Sequence, residues 1–453
     1  MYKVDEWLDE RIIGDPIQAT FTKSLRDYQG EFIANHMESI KQHDDIVVEA
    51  GCGSGKTVLS LYLLTLRKRK TIVLVPTNFL ADQYDNRARN FLSGVTIVRA
   101  RPTKKIEWEK ADILIISYEL YKSRKFEEAF YYHFGHIIID EGHRLGADTH
   151  EETTARFHAK YRTMLTATFR REDGGEKILT HHFQAQLGMP RVNPDVIVHP
   201  TRTGIHVGDL ISLRKFSGEK MEAIIDVLEY LDKRHDIYYQ IVDGILEINL
   251  IQDNWKRIYV MEMMLTPKRK AALNTIIKGA KAYQTNPQYS TLDSYVANLK
   301  SRNSEIIRLT LQALKRGRKI LILGKRKAQL YNLQKTLAKN GVKTLVIVSE
   351  TLKALQKENK VDEATAKAEV VLGIDKLAKE GMDVDTLDTL ILIHPVGDVE
   401  QAMGRVARIK PGKKEPIMLY LVDDTHPYKM LYKKSQKFIP YAGKEGKPII
   451  LNE

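Results

Sequence analysis

The sequence predicts an α/β protein: two tandem parallel-sheet domains with an inserted, partly β accessory segment between them. Three observations carry this expectation. Short β-branched runs alternate with amphipathic stretches after about Phe21, and the same alternation returns after about Arg302. The residues between them lack that rhythm and carry Asp173-Gly174-Gly175, Pro190, Pro194 and Pro200 instead. Domain bounds of 1–172, 173–301 and 302–453 follow.

In the first stretch the strand candidates are Asp45–Glu49, Thr71–Val75, Asp112–Ile116, His136–Asp140 and Tyr161–Leu165. Their apolar runs are continuous rather than alternating, as strands covered on both faces require. Val58–Leu66 has the period of a helix. In the last stretch Lys319–Leu323, Thr344–Val348, Glu369–Leu372, Thr389–Ile393 and Ile417–Leu421 repeat the pattern without a glycine-rich loop of their own. Within the insert, Asp243-Gly244 is a type I′ turn signal between two apolar runs. Pairing Val242 with Ile245 puts Ile241/Leu246, Tyr239/Ile248 and Ile237/Leu250 on one face, and Gln240/Glu247 and Tyr238/Asn249 on the other. The 237–250 segment is therefore expected to be a hairpin.

A chain of 453 residues exceeds one ordinary core. Lys and Arg number 71 against 58 Asp and Glu, a net +13, which points to a polyanionic partner, nucleic acid or an anionic membrane surface. The single cysteine, Cys52, excludes a disulfide framework and a thiolate zinc site. A charged N-terminus and the lack of any run near eighteen apolar residues argue against a signal peptide and a membrane span. The expectation is a soluble, cytoplasmic protein of a bacterial cell or phage-infected host, with no membrane role.

The segment Ala50-Gly51-Cys52-Gly53-Ser54-Gly55-Lys56-Thr57 lies between a strand and a helix. Glycines let backbone N–H groups approach phosphates, the lysine meets the β/γ-phosphates and the hydroxyl holds Mg²⁺. Cys52 there is a small side chain in a tight turn or a redox-sensitive one. Asp140-Glu141 ends a buried strand: the first carboxylate suits Mg²⁺, the second the activation of water. Either could instead cap a following helix. Leu165-Thr166-Ala167-Thr168 could relay the nucleotide state from the His143 region or cap a helix. Upstream, Arg26 and Gln29 precede the first strand, and the glutamine amide can pair bidentately with adenine, favouring ATP. Far away, Gln401-Ala402-Met403-Gly404-Arg405-Val406-Ala407-Arg408 places two arginines where a second domain could supply charge to a γ-phosphate.

In series, Gln29, Ala50–Thr57, Val75-Pro76-Thr77, Asp140–His143, Thr166–Thr168, Glu380-Gly381-Met382-Asp383 and Gln401–Arg408 resemble the motifs of a superfamily 2 DNA helicase of the DExH type. The build is most similar to bacteriophage branch-migration helicases. The resemblance covers both α/β domains and implies that each is RecA-like. It implies phosphate binding by Lys56, Mg²⁺ binding by Thr57 and Asp140, and water activation by Glu141. Arg405 and Arg408 resemble arginine fingers, and Gln401 a γ-phosphate sensor. Pro76 and Thr77, Ser117 and Tyr118, Gly324 and Lys325, and Gly381 resemble contacts to a nucleic-acid backbone. Gly373-Ile374 stands where many members have a threonine.

The expected cofactors are ATP and Mg²⁺, and the expected partner is single-stranded, forked or four-way-junction DNA, acted on by a monomer. ATP would bind in a cleft between the two domains. Tyr238 or Tyr239 could stack on a base if the hairpin is a strand-separating wedge; otherwise it covers a small core. The basic tail, with Tyr432, Phe438 and Tyr441 among lysines, could track phosphates or pack on the second domain. Other readings are a double-strand translocase, an RNA helicase, an ATP-controlled nucleic-acid-binding switch and a protein translocase. Intact Glu141, Arg405 and Arg408 argue against the switch, and the lack of a large clamping domain against protein translocation.

Overall fold

The computed structural model describes residues 9–51, 53–142, 156–167, 183–191, 193–233, 237–250, 265–285, 289–357, 361–374, 386–396, 399–408 and 410–451. The chain divides into two units, Met1–Asn193 and Pro194–Glu453. Among the described residues, no helix is long and apolar enough to cross a membrane.

In the first unit the strands of the main sheet are β1 (Asp45–Glu49), β2 (Thr71–Val75), β3 (Ile97–Arg99), β4 (Ile113–Ser117), β5 (His136–Ile139), β6 (Tyr161–Thr166) and β7 (Ala185–Gly188). They form one parallel sheet in the order β3-β4-β2-β5-β6-β1-β7. Helices α1 (Asp27–Gln42), α2 (Lys56–Arg67), α3 (Asn78–Phe91) and α4 (Tyr118–Ser123) accompany it. Successive side chains of β1 enter different cores. Ile46 and Val48 join Leu59 and Leu63 of α2 and Tyr84 of α3, whereas Val47 joins Phe130, Phe134 and Phe157. Both faces are covered, so β1, β2, β4 and β5 carry consecutive apolar residues in their interiors, Ile46–Val48, Ile72–Val75, Ile113–Ile116 and Ile137–Ile139.

His136 is the polar exception in β5. It is fully buried, with Nε2 3.0 Å from Thr163 Oγ1, and burial pushes its pKa down to about 3. The folded state then binds this proton less readily than the unfolded chain. Stability from this group is complete above the ordinary histidine range and is lost as pH falls from about 6.5 toward 3. His136→Leu is expected to remove up to about 1.4 kcal/mol per pH unit of acid sensitivity in that window. Urea melts at several pH values read this slope, and an unchanged slope would contradict the assignment.

The strands of the second unit are β8 (Val196–Arg202), β9 (Asp209–Ser212), β10 (Ile237–Val242), β11 (Ile245–Leu250), β12 (Ile320–Gly324), β13 (Thr344–Ile347), β14 (Val370–Ile374), β15 (Thr389–Leu392), β16 (Ile417–Val422), β17 (Gly443–Glu445) and β18 (Ile449–Ile450). A second parallel sheet runs β13-β14-β12-β15-β16-β8-β17, with β18 also on β8. The stretch read as a single insert is therefore shared out: β7 joins the first sheet and β8 the second. Pro200 obscured β8. Its outer edge is covered by two short strands, β17 against 196–198 and β18 against 201–202, and the gap between them falls opposite Pro200.

The remainder of that stretch is a small antiparallel sheet, β9-β11-β10. The hairpin pairs Val242 with Ile245 and Tyr239 with Ile248, and Asp243 and Gly244 both take positive φ (51° and 70°), as a two-residue type I′ turn demands. Helices α5 (Glu219–Asp232) and α6 (Pro267–Thr285) cover one face through Val227, Leu231, Leu273 and Ile276. Central strand β11 is buried on both sides: Leu246 and Ile248 face those helices, whereas Ile245 packs with Leu292, Tyr295 and Val296 of α7 (Tyr289–Asn298). Edge strand β10 leaves Ile241 at the rim, exposed. Glu247, on the face opposite Leu246 as its register requires, is enclosed and accepts hydrogen bonds from Gly208 N (2.7 Å), Gln240 Nε2 (2.7 Å) and the Tyr295 hydroxyl.

Candidate active site

The glycine-rich loop leaves the carboxyl end of β1, the end at which open parallel sheets bind ligands. Gly53 and Gly55 take left-handed φ (79° and 82°), and α2 begins at Lys56. Cys52 lies outside the described residues. Ser54 is buried, and its Oγ has no hydrogen-bond partner among the described residues, which leaves a donor for a ligand oxygen. The Lys56 ammonium reaches Ala50 O (3.3 Å) and lies 3.5 Å from Glu141 Oε1.

Asp140 follows β5, held by its N–H to Leu74 O (2.9 Å) and by the Tyr118 hydroxyl donating to its carbonyl (2.7 Å). Its carboxylate accepts the Glu141 N–H (3.0 Å). Burial first, and the Glu141 charge second, push the Asp140 carboxyl above its usual range, opposed by Lys56. A divalent cation would relieve this clustering of negative charge. Glu141 has φ 52°, a conformation that costs a side-chain-bearing residue and recurs at functional sites. At Gly142 a methyl group would run into the sulfur of buried Met164 on β6. His143 and Thr168 lie outside the described residues.

Arg26, Tyr28 and Gln29 gather on the loop from the start of α1. Gln29 Oε1 accepts the Arg26 N–H (3.1 Å), and its Nε2 donates to Ser54 O (3.1 Å) and Gly55 O (3.3 Å). Arg26 donates to the Tyr28 hydroxyl (3.0 Å), which donates to Ser54 O (3.1 Å). Both ends of the buried Gln29 amide serve backbone groups and brace the loop, so pairing with an adenine edge would require the amide to give up these contacts. Tyr28 and Arg87 are the site residues that motif reading does not single out. Arg87, on α3, donates to Thr57 Oγ1 (3.1 Å); thirty residues from the loop, it carries no local signal.

The expected backbone-contact residues divide. Thr77 caps α3 by accepting Leu80 N–H (3.3 Å). Ser117 is fully buried, caps α4 and donates to Asn78 Oδ1 (3.1 Å), and Tyr118 is turned inward onto Asp140. As side-chain contacts to nucleic acid, Ser117 and Tyr118 are corrected by this burial. Pro76 is buried as well. Gly381 lies outside the described residues, as does the side chain of Tyr238; Tyr239 is half-buried beside α5.

In the second unit Gly324 ends β12 against Ile393 and Leu330, and the Lys325 ammonium pairs with Asp293 (3.2 Å). Gln401 lies in a one-turn helix, α8 (Glu400–Met403). Arg405 sits in the following turn and Arg408 beyond it, all three half-buried. In the same unit, Arg302 is completely buried. It binds Asp423 through Nε (2.9 and 3.0 Å) and Nη2 (2.9 Å), and donates from Nη2 to Ile393 O (2.6 Å). Asp423 also accepts Thr203 Oγ1 (2.6 Å), and Tyr428 donates to Asp293 (2.5 Å).

Residues 22–171 match the family of the type III restriction enzyme res subunit, and residues 301–410 match the helicase conserved C-terminal domain. The chain belongs to the superfamily 2 helicases. Its matched regions are the ATP-hydrolysing helicase domains of that superfamily, and its two parallel sheets are the tandem RecA-like pair. Among individual relatives, a protein of Acanthamoeba polyphaga mimivirus named as ATP-dependent RNA helicase L396 is 24% identical over 90% of this chain and 66% of its own length. The helicase named D10 of Escherichia phage T5 is 22% identical over 84% of this chain and 68% of its own. The DNA 3'-5' translocase XPB2 of Sulfurisphaera tokodaii is 29% identical over 34% of this chain and 33% of its own. This superfamily 2 chain thus spans about two thirds of the mimiviral relative's length.

Proposed function

We propose that the protein is an ATP-driven DNA helicase that unwinds or branch-migrates forked and junction DNA, acting as a monomer. The observation that carries the ATPase part is the convergence of Lys56, Thr57, Asp140 and Glu141 beside a loop whose glycines open backbone donors. In this reading Lys56 leaves Glu141 for the β/γ-phosphates, and the Ser54 hydroxyl and loop N–H groups bind phosphate oxygens. Glu141, freed of the ammonium, orients and deprotonates the attacking water. Thr57 Oγ1 and the Asp140 carboxylate are hard oxygen donors that suit Mg²⁺, which would neutralise phosphate charge when bound. Arg405 and Arg408 would supply positive charge to the γ-phosphate.

Net charge of +13 supports a nucleic-acid track, with affinity falling steeply as salt rises. The Sulfurisphaera tokodaii relative is named for DNA and the mimiviral one for RNA, which keeps RNA as the second reading. ATP turnover and strand release, measured side by side on single-stranded DNA, blunt duplex, forks, four-way junctions and RNA, decide between them. The proposal expects release on forks and junctions. Release confined to RNA substrates would replace DNA, and turnover without release would make the protein a translocase. Arg405→Ala is expected to retain nucleotide while turnover falls about 10³-fold; loss of nucleotide binding itself would remove the finger role.

A further inference from the structure

Helices α2 and α3 are tied side by side by two polar rungs one turn apart. Ser60 Oγ and the Tyr84 hydroxyl lie 2.6 Å apart in the interior, and Arg87 Nη1 donates to Thr57 Oγ1 at 3.1 Å. The first rung is buried and fixes α3, so the second is positioned by packing rather than by a wandering surface side chain. Arg87 therefore presents a guanidinium to the hydroxyl that sits one residue after the phosphate-binding lysine. Its charge also acts on Asp140, the other oxygen donor suited to Mg²⁺.

We propose that Arg87 is a positioning residue that competes with Mg²⁺: its guanidinium holds the Thr57 hydroxyl while no divalent cation is bound and must yield it when one arrives. The proposal rests on the ATP reading above. A guanidinium and a dication sharing one hydroxyl oxygen repel each other, so part of the cation's binding energy is spent on moving Arg87. In exchange, the metal-free loop keeps Thr57 oriented and retains positive charge near the site. Arg87 is thus expected to raise the Mg²⁺ concentration needed for nucleotide binding and to support the weaker binding that occurs without metal.

The test is a fluorescence titration of the full chain with a slowly hydrolysed fluorescent ATP analogue, in EDTA and across a Mg²⁺ series. Wild type is compared with Arg87→Gln and Arg87→Lys, and thermal melts confirm that each is folded. Arg87→Gln should lower the half-saturating Mg²⁺ about fivefold or more and weaken binding in EDTA, while Arg87→Lys should stay close to wild type on both. Unchanged Mg²⁺ dependence in Arg87→Gln, or equal weakening with and without Mg²⁺, would overturn the competition and leave Arg87 as a tie between helices. Failure of wild type to bind the analogue at all would overturn the ATP reading, and this inference with it.

Discussion

Lys56→Ala is expected to lower ATP turnover about 10²-fold or more in a protein that remains folded, since one preorganised charge at developing phosphate charge is worth at least that much. The fold should survive because Lys56 contributes no apolar packing that Leu59, Leu63 and Leu64 of the same helix do not already supply. Removing its ammonium does leave Glu141 without that partner 3.5 Å away, at the end of a strand already crowded by Asp140. Some loss of thermal stability is the expected side effect. Phosphate release measured alongside melting temperature separates the two, and normal turnover in a folded variant would end the assignment of the loop.

Asp423→Ala is expected to have the largest effect on stability, a loss of about 3–5 kcal/mol, because it strands the fully buried Arg302 guanidinium without its counter-charge. The Thr203 hydroxyl would lose its acceptor at the same time. The double change Arg302→Met, Asp423→Leu should cost less than Asp423→Ala alone, since no buried charge is then left unpaired. Denaturant titrations of the variants check this ordering; additive losses would contradict it. Asp423 directly follows β16, and Arg302 donates to Ile393 O just past the end of β15, so loss of the pair should loosen the carboxyl ends of these strands, beside β12 with its terminal Gly324.

The parts of this fold legible in the sequence are those where one physical signal dominates. β1, β2 and β12 are continuous apolar runs because both faces of their sheets are covered, and the Asp243-Gly244 turn specifies the hairpin register locally. β8 was not legible because Pro200 contradicts a strand until β17 and β18, from the far end of the chain, supply an edge with a gap. Glu247 was not legible because its cover comes from Tyr295 of α7, 48 residues on, and a two-residue period cannot anticipate a second layer. At the site, Lys56, Thr57, Asp140 and Glu141 were readable from motif order. Motif order carries no information on what lies beneath a surface, so the burial of Ser117 and Tyr118 and the approach of Arg87 to Thr57 emerge only from packing.

Gly142 and Met164 are two halves of one volume. The space a side chain at 142 would need is filled by a thioether from the neighbouring strand β6, 22 residues along the chain. A side chain at 142 therefore requires Met164 to shift. A relative carrying alanine after the acidic pair has to carry a shorter or differently shaped side chain at the position equivalent to Met164, and a relative keeping a long side chain there has to keep glycine. The two columns of any future alignment should therefore change in concert. That coupling links the residue beside the water-activating carboxylate to the strand that leads into Thr166, without any polar contact between them.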